Sequence, residues 1–153
     1  MNIGILGTGM VGQAIGAKLV ELGHEVRMGS RTADNEKAAQ WVAAHGPRAS
    51  QGTFADAAKF GELLFNCTAG VASLQALEMA GAANLKGKIL VDVANPLDFS
   101  RGMPPSLAVC NTDSLGEQIQ LAFPEARVVK TLNTVNCNVM VNPALVRGAP
   151  DMF

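Results

Sequence analysis

Apolar positions along this chain alternate between short continuous runs and stripes of helical period. Ile3, Ile5 and Leu6 form a first short strand, and Val11, Ile15, Leu19 and Leu22 then recur at helical spacing. That stripe predicts a helix over 10–22, with Gln13, Lys18 and Glu21 on its wetter side. Gly23 is suited to stop it, and 24–29 read as a second strand with Val26 and Met28 inward. Thr32 or Asp34 is placed to cap a second helix carrying Ala38, Trp41 and Val42, which Gly46-Pro47 ends. A weaker strand over 48–51 leads to a short helix entered at Thr53, with Phe54, Ala57 and Ala58 inward. Residues 62–67 are nearly continuous in apolar character, as central parallel strands are. A helix over 71–81 and a fifth strand over 88–93 follow. Residues 95–112, with Pro96, Pro104 and Pro105, read as a long structureless loop of the functional kind. Ser114 and Glu117 fit a capping box for a helix with Leu115, Ile119 and Ala122 inward, which Pro124 stops. Residues 127–130 are a sixth strand, and the remainder reads as a Pro-containing tail.

Strands alternating with helices predict an α/β fold built on a doubly wound parallel sheet, with 1–153 as a single domain. Composition narrows the function. Hydrophobic residues are 48% of the chain and charged residues 16%, which excludes a disordered segment. Net charge is −1 and no basic run occurs, so nucleic acid is not an expected partner. No apolar run approaches the roughly 20 residues of a membrane span. The first residues have no basic lead and their apolar run is broken by glycines, so no signal peptide is expected. Cys67, Cys110 and Cys137 are scattered without a C-x-x-C pattern and read as free thiols of a cytoplasmic protein.

The first strand runs straight into Gly7-Thr8-Gly9-Met10-Val11-Gly12, which fits G-x-G-x-x-G, and the predicted helix opens there. In a dinucleotide site Gly7 permits the tight turn, Gly9 lets the backbone approach a pyrophosphate, and Gly12 lets helix and strand pack closely. The free N–H groups at that helix start attract phosphate. About twenty residues on, NAD sites usually carry an acid for the ribose hydroxyls. Ser30-Arg31-Thr32 stands there instead, which suits the extra 2′-phosphate of NADP. In a doubly wound sheet the ligand lies beyond the carboxyl ends of the strands. That edge collects Gly7, Thr8, Gly9, Met10 and Val11, then Ser30 and Arg31, Thr68 and Ala69, Asn95 and Pro96, and Asn133-Thr134. Gly7 to Val11, Ser30, Arg31, Thr68, Ala69, Asn95 and Pro96 are the expected cofactor-binding residues of a Rossmann fold.

These residues resemble the family of NADP oxidoreductases dependent on coenzyme F420, a deazaflavin, and its relatives among dinucleotide-binding proteins. The matching stretches are Gly7–Gly12, Gly29–Arg31, Val91–Leu97 and Val129–Thr134. The first two are shared with other NADP-binding Rossmann proteins, including the cytoplasmic domains of ferric reductases; the later two are more specific to this group. The resemblance implies NADP in the cleft and a deazaflavin stacked against the nicotinamide for hydride exchange. Family enzymes can place further basic residues just after the Ser-Arg pair. Here Thr32-Ala33-Asp34 intervenes before Lys37, so no phosphate contact is carried over to Lys37. The chain ends at Ala149-Pro-Asp-Met-Phe153, where family members continue into another strand and terminal helices, so the C-terminal part of the family fold is expected to be missing.

Hydride transfer needs apposed rings and excluded water more than a protein acid. The chain has no Tyr, which excludes a Tyr-Lys proton donor pair, and His24 and His45 read as surface residues at helix ends. Cys67 and Cys137 read as inert thiols, and Asp92, late in the fifth strand, as a carboxylate held by neighbouring backbone. No cluster has metal-ligand spacing, and no catalytic residue is assigned. The leading expectation is an NADP(H)-dependent oxidoreductase passing a hydride to or from a deazaflavin or flavin-like acceptor. Two other readings share its nucleotide half: a non-catalytic NADP(H)-binding sensor module, and an NADPH-dependent reductase of ferric iron or of an imine. The expected partner is a small-molecule redox acceptor, with a homodimer as the assembly the reading admits.

Overall fold

A computed structural model describes residues 1–148. Six parallel strands form the central sheet: β1 (Asn2–Leu6), β2 (Glu25–Ser30), β3 (Ala49–Thr53), β4 (Leu63–Asn66), β5 (Ile89–Asp92) and β8 (Arg127–Lys130). Their order is β3-β2-β1-β4-β5-β8. The strand order reverses between β1 and β4, so the two chain segments leaving these strands diverge and open a crevice at their carboxyl ends. This is a doubly wound Rossmann sheet.

Period-two alternation sorts the apolar side chains onto two faces. Ile5, Val26 and Met28 face α1 (Met10–Glu21) and α2 (Glu36–His45), with Ile15 and Trp41 completing that core. Leu6, Leu64 and Leu90 face the other way, against α3 (Phe54–Phe60), α4 (Ser73–Ala80), α5 (Ala82–Leu85) and α6 (Leu115–Ala122). Each core holds several side chains of negligible exposure, and burial of one such Leu or Ile is worth about 1.5–3 kcal/mol.

Several expectations are corrected at element ends. Leu22 is exposed rather than inward, because α1 stops at Glu21 and Gly23 turns the chain away at φ +88°. The cap of α2 is Asn35, whose Oδ1 accepts from the Ala38 N–H at 3.0 Å; neither Thr32 nor Asp34 does this. β3 runs on to Thr53, which then caps α3 in a reciprocal box with Asp56. The box expected at Ser114 is only half formed: its Oγ accepts from the Glu117 N–H, while the Ser114 N–H is taken by Asp113. Ala122 is exposed and Phe123 is buried in its place. The helix expected over 71–81 is divided into a 3₁₀ turn (Gly70–Ala72), α4 and α5. The segment 95–112 is not structureless, since β6 (Leu97–Asp98) and β7 (Ser106–Leu107) pair as an antiparallel hairpin. After β8 the tail forms α7 (Cys137–Val141), which lies against α1. The expectation placed on 149–153 lies outside the described residues. Among the described residues no helix is long and apolar enough to cross a membrane.

Candidate functional site

Two clefts meet at the carboxyl end of the sheet, on either side of the turn that leaves β4. The first, of about 260 Å³, lies between the β1–α1 loop, the end of β2 and α4. The second, of about 330 Å³, lies between the start of α1, the segment leaving β5 and α7. Cys67, Thr68 and Ala69 border both, so together they make one groove across the strand-order reversal.

Gly7 is held at φ +120°, a conformation that glycine adopts without strain, and its N–H donates to the Gly29 carbonyl at 3.0 Å. A Cβ there would come within 2.6 Å of the Cys67 carbonyl oxygen, so Gly7 also allows the two divergent loops to touch. At Gly12 a Cβ would lie 2.4 Å from the Gly7 carbonyl oxygen, and α1 can approach β1 only because that atom is missing. Gly9 is different. A Cβ there meets nothing within 4 Å and would project into the groove. The loop is braced from behind: Gln13 Nε2 donates to the Thr8 carbonyl at 3.0 Å, and Trp41 Nε1 donates to the Gln13 carbonyl at 3.2 Å.

Of the expected site residues, Gly7, Thr8, Gly9, Ser30 and Arg31 border the first cleft, Met10, Val11 and Asn95 the second, and Thr68 and Ala69 both. Pro96 borders neither. Its nitrogen would lie 2.4 Å from a Cβ on Gly70, and its carbonyl anchors the hairpin by accepting from the Ala108 N–H at 2.8 Å. Ser30 borders the first cleft but is 95% buried in effect, with 5% exposure, and its hydroxyl donates to the Thr32 carbonyl. It shapes the turn that presents Arg31 and has spent its donor in doing so. Arg31 is exposed at the mouth, with no hydrogen-bond or ion-pair partner among the described residues. Among the described residues, no Asp or Glu borders this cleft.

Sequence reasoning missed other wall residues. Asn35, Gln75 and Met79 reach the first cleft, and Asn136, Cys137 and Met140 the second. The Asn35 cap signal was readable three residues before Ala38, but the later three depend on a helix, α7, that has little apolar period of its own. Burial pushes the Cys67 thiol far above its ordinary range, and the Asp92 carboxylate adds to this, so Cys67 is an inert wall. Asp92 is fully buried and engaged by Asn66, the Ala94 N–H and Lys130, two of them side chains rather than the neighbouring backbone alone. His45 stacks on Trp41 with ring centroids 4.8 Å apart and borders neither cleft. Among the described residues, no group of three or more His, Cys, Asp or Glu could hold a metal ion.

The residues present fit a phosphorylated dinucleotide. The groove has a backbone floor free of side chain at Gly9, a helix start without acidic residues, and an unpaired guanidinium beyond β2. The sequence profile described as NADP oxidoreductase, coenzyme F420-dependent, matches residues 2–96. A solved structure of a provisional F420-dependent NADP reductase from Arthrobacter sp. FB24 is 52% identical, with a TM-score of 0.88 over 96% of this chain and 69% of its own. The chain belongs to the family of coenzyme F420-dependent NADP oxidoreductases. Members of this NADP-binding Rossmann family share the fold with more distant proteins. An imine reductase from Bacillus cereus BAG3X2 is 21% identical (TM-score 0.67), and a reductive aminase from Aspergillus terreus, solved with NADPH, is 22% identical (TM-score 0.66). Both similarities cover 90% of this chain and 42% of the other, and at that identity they speak to the fold alone. No curated protein matches the chain.

Proposed function

We propose that the groove binds NADP(H) and that this chain is an NADP(H)-dependent oxidoreductase exchanging a hydride between nicotinamide and a deazaflavin-like acceptor. The observation that carries the reading is the contrast between the two clefts. Among the described residues Arg31 is the only charged one bordering the first, where a 2′-phosphate needs a cation and an acid would repel it. The second is bordered by Met10, Val11, Val93, Leu97, Val135 and Met140 with amides from Asn95, Asn133 and Asn136, and, among the described residues, by no Asp, Glu, His, Lys or Arg. A wall of this kind suits flat aromatic rings that need orientation and a dry surface.

In this reading Gly9 and the N–H groups opening α1 hold the pyrophosphate, Arg31 holds the 2′-phosphate, and Thr68 and Ala69 separate the adenosine side from the nicotinamide side. Asn95 orients the carboxamide side of the second cleft; its own side chain is fixed by donating to the Asn133 carbonyl at 2.7 Å. NADPH, when bound, supplies the hydride at its nicotinamide ring. Calorimetric titration with NADPH and NADH, followed by stopped-flow oxidation of NADPH with deazaflavin, flavin and ferric acceptors, tests the assignment. The expected result is NADPH preferred over NADH and turnover only with the tricyclic acceptors. Equal affinity for both nucleotides would refute the role of Arg31, and tight binding with no turnover would favour a sensor.

A further inference from the structure

One ammonium group ties together the walls of the second cleft. Asn66, Asp92 and Lys130 stand side by side at one register level on the adjacent strands β4, β5 and β8. Asn66 and Asp92 are fully buried, and the Lys130 side chain is one-third exposed. Lys130 Nζ donates to Asp92 Oδ2 at 2.9 Å and to the Ala94 carbonyl. The other Asp92 oxygen accepts from Asn66 Nδ2 at 2.8 Å and from the Ala94 N–H at 3.2 Å. An ionised carboxylate only accepts, so it dictates which way the Asn66 amide faces. The amide nitrogen is turned to Asp92 and to Ser73 Oγ at 2.9 Å. The amide oxygen is left for Thr68, accepting its hydroxyl at 2.7 Å and its N–H at 3.3 Å. A chain of oriented donors and acceptors therefore runs from Lys130 to the Thr68 turn, while the second Lys130 bond pins the backbone one residue before Asn95. The two ends also meet directly, the Gly70 N–H donating to the Asn95 carbonyl at 3.1 Å. Thr68 and Asn95 border the second cleft; Lys130, Asp92 and Asn66 do not.

We propose that Lys130 is a positioning residue for the nicotinamide side of the groove, holding the Thr68–Ala69 turn and the Ala94–Asn95 segment at the spacing the bound ring requires. This rests on the nucleotide reading above. The ammonium touches neither the first cleft nor the β1–α1 loop; the Thr68–Ala69 turn borders both clefts, but the Ala94–Asn95 segment borders only the second, so its influence falls mainly there. It separates two ligands: 2′,5′-ADP, which fills only the adenosine side, and NADPH, which spans both clefts.

The test titrates both ligands into the wild-type chain and into Lys130→Met and Lys130→Arg, with amide hydrogen exchange read over 67–70 and 93–96 and over 7–13. Lys130→Met should weaken NADPH about tenfold, a change of one order in Kd, and 2′,5′-ADP less than about twofold. Exchange should rise at 67–70 and 93–96 and stay unchanged at 7–13. Lys130→Arg, which keeps a cation, should recover most of the NADPH affinity. Since Lys130→Met leaves the buried Asp92 without its cation, the double variant Lys130→Met with Asp92→Asn is measured as well; it has no unpaired buried charge and should show the same selective loss. Equal losses for both ligands, or no loss for NADPH, would overturn the proposal. A wild-type chain that binds neither ligand would overturn the nucleotide reading, and the proposal with it.

Discussion

Gly9 and Gly12 stand three residues apart in one motif, yet the structure gives them opposite burdens, and substituting each in turn separates a binding role from a packing role. At Gly12 an added Cβ sits 2.4 Å from the Gly7 carbonyl oxygen and 3.3 Å from Ile5 Cγ2. The nearer atom is backbone and cannot swing aside, so Gly12→Ala falls at the upper end of the overpacking range, about 3 kcal/mol. Alanine favours a helix over glycine by about 1 kcal/mol, leaving a net loss of about 2 kcal/mol. For a chain of this size that lowers Tm by about 4–8 °C. At Gly9 the Cβ meets nothing, and φ of −78° is open to any residue. Gly9→Ala gains about 0.4–1 kcal/mol by restricting the unfolded chain. It gives up a comparable N-cap preference, so Tm should move by no more than about 4 °C. Gly9→Val should retain a cooperative thermal transition but lose NADPH binding by more than about a hundredfold, since its γ-methyls stand where phosphate oxygens would accept from the start of α1. Thermal melts with calorimetric titration of the three variants decide the matter. Normal NADPH affinity in Gly9→Val would refute the placement of the pyrophosphate, and a Tm loss in Gly9→Ala as large as in Gly12→Ala would refute the geometric argument.

Arg31→Ala removes a charge-assisted hydrogen bond worth about 1.5–3 kcal/mol, so NADPH should bind at least about tenfold more weakly while NADH is unchanged. Ser30→Ala loses the bond to the Thr32 carbonyl that shapes the turn presenting Arg31, so it should weaken NADPH more than NADH, though less than Arg31→Ala does, which a parallel titration reads directly. Thiol titration of the native chain with a disulfide reagent near pH 8 should show exposed Cys110 reacting fast and buried Cys67 reacting only on unfolding. Hydrogen bonds from the Thr53 hydroxyl and N–H hold the Asp56 carboxyl below its ordinary value. A depressed folded pKa contributes stability above the unfolded value, and that contribution disappears as pH falls through the folded one. Asp56→Asn should therefore cost stability at pH 7 and flatten the acid limb below about pH 4 in denaturant titrations across pH.

The fold was legible because its apolar periods are strong where they matter. Ile5 and Leu6, adjacent in sequence, sort to opposite faces and enter the two separate cores, which is what a strand covered on both sides requires. The sixth strand, read at 127–130 after Pro124 stops the preceding helix, is found at Arg127–Lys130. Misreadings cluster at caps and loops, where several candidates compete over three or four residues. Thr32, Asp34 and Asn35 can all cap a helix, and only the backbone path, set in part by the Ser30 bond to Thr32, decides that Asn35 does. The hairpin within 95–112 was hidden for another reason: each of its strands is two residues long, too short to show an alternation.

The first cleft was legible and the second largely was not, and the difference is one of physical scale. Gly7, Gly9, Gly12 and Arg31 act through short-range backbone geometry inside one β-α-β unit, so their spacing in the chain carries their meaning. The second cleft is assembled from residues more than a hundred positions apart, Met10 and Val11 against Asn136 and Met140, brought together when α7 packs on α1. Behind it lies the hydrogen-bonded set Asn66, Asp92 and Lys130, which in sequence are isolated polar residues ending three strands. Each looks like an ordinary strand terminus until parallel pairing sets Asn66 beside Asp92 and Asp92 beside Lys130. A buried polar group without a partner costs about 1–3 kcal/mol, more when charged, so the buried pair Asn66 and Asp92 is tolerable because each has the other, and Asp92 has Lys130, as neighbour. Register therefore converts three unremarkable strand ends into one oriented network, and polar residues that recur at the last position of consecutive parallel strands are the sequence signal from which such a network can be read.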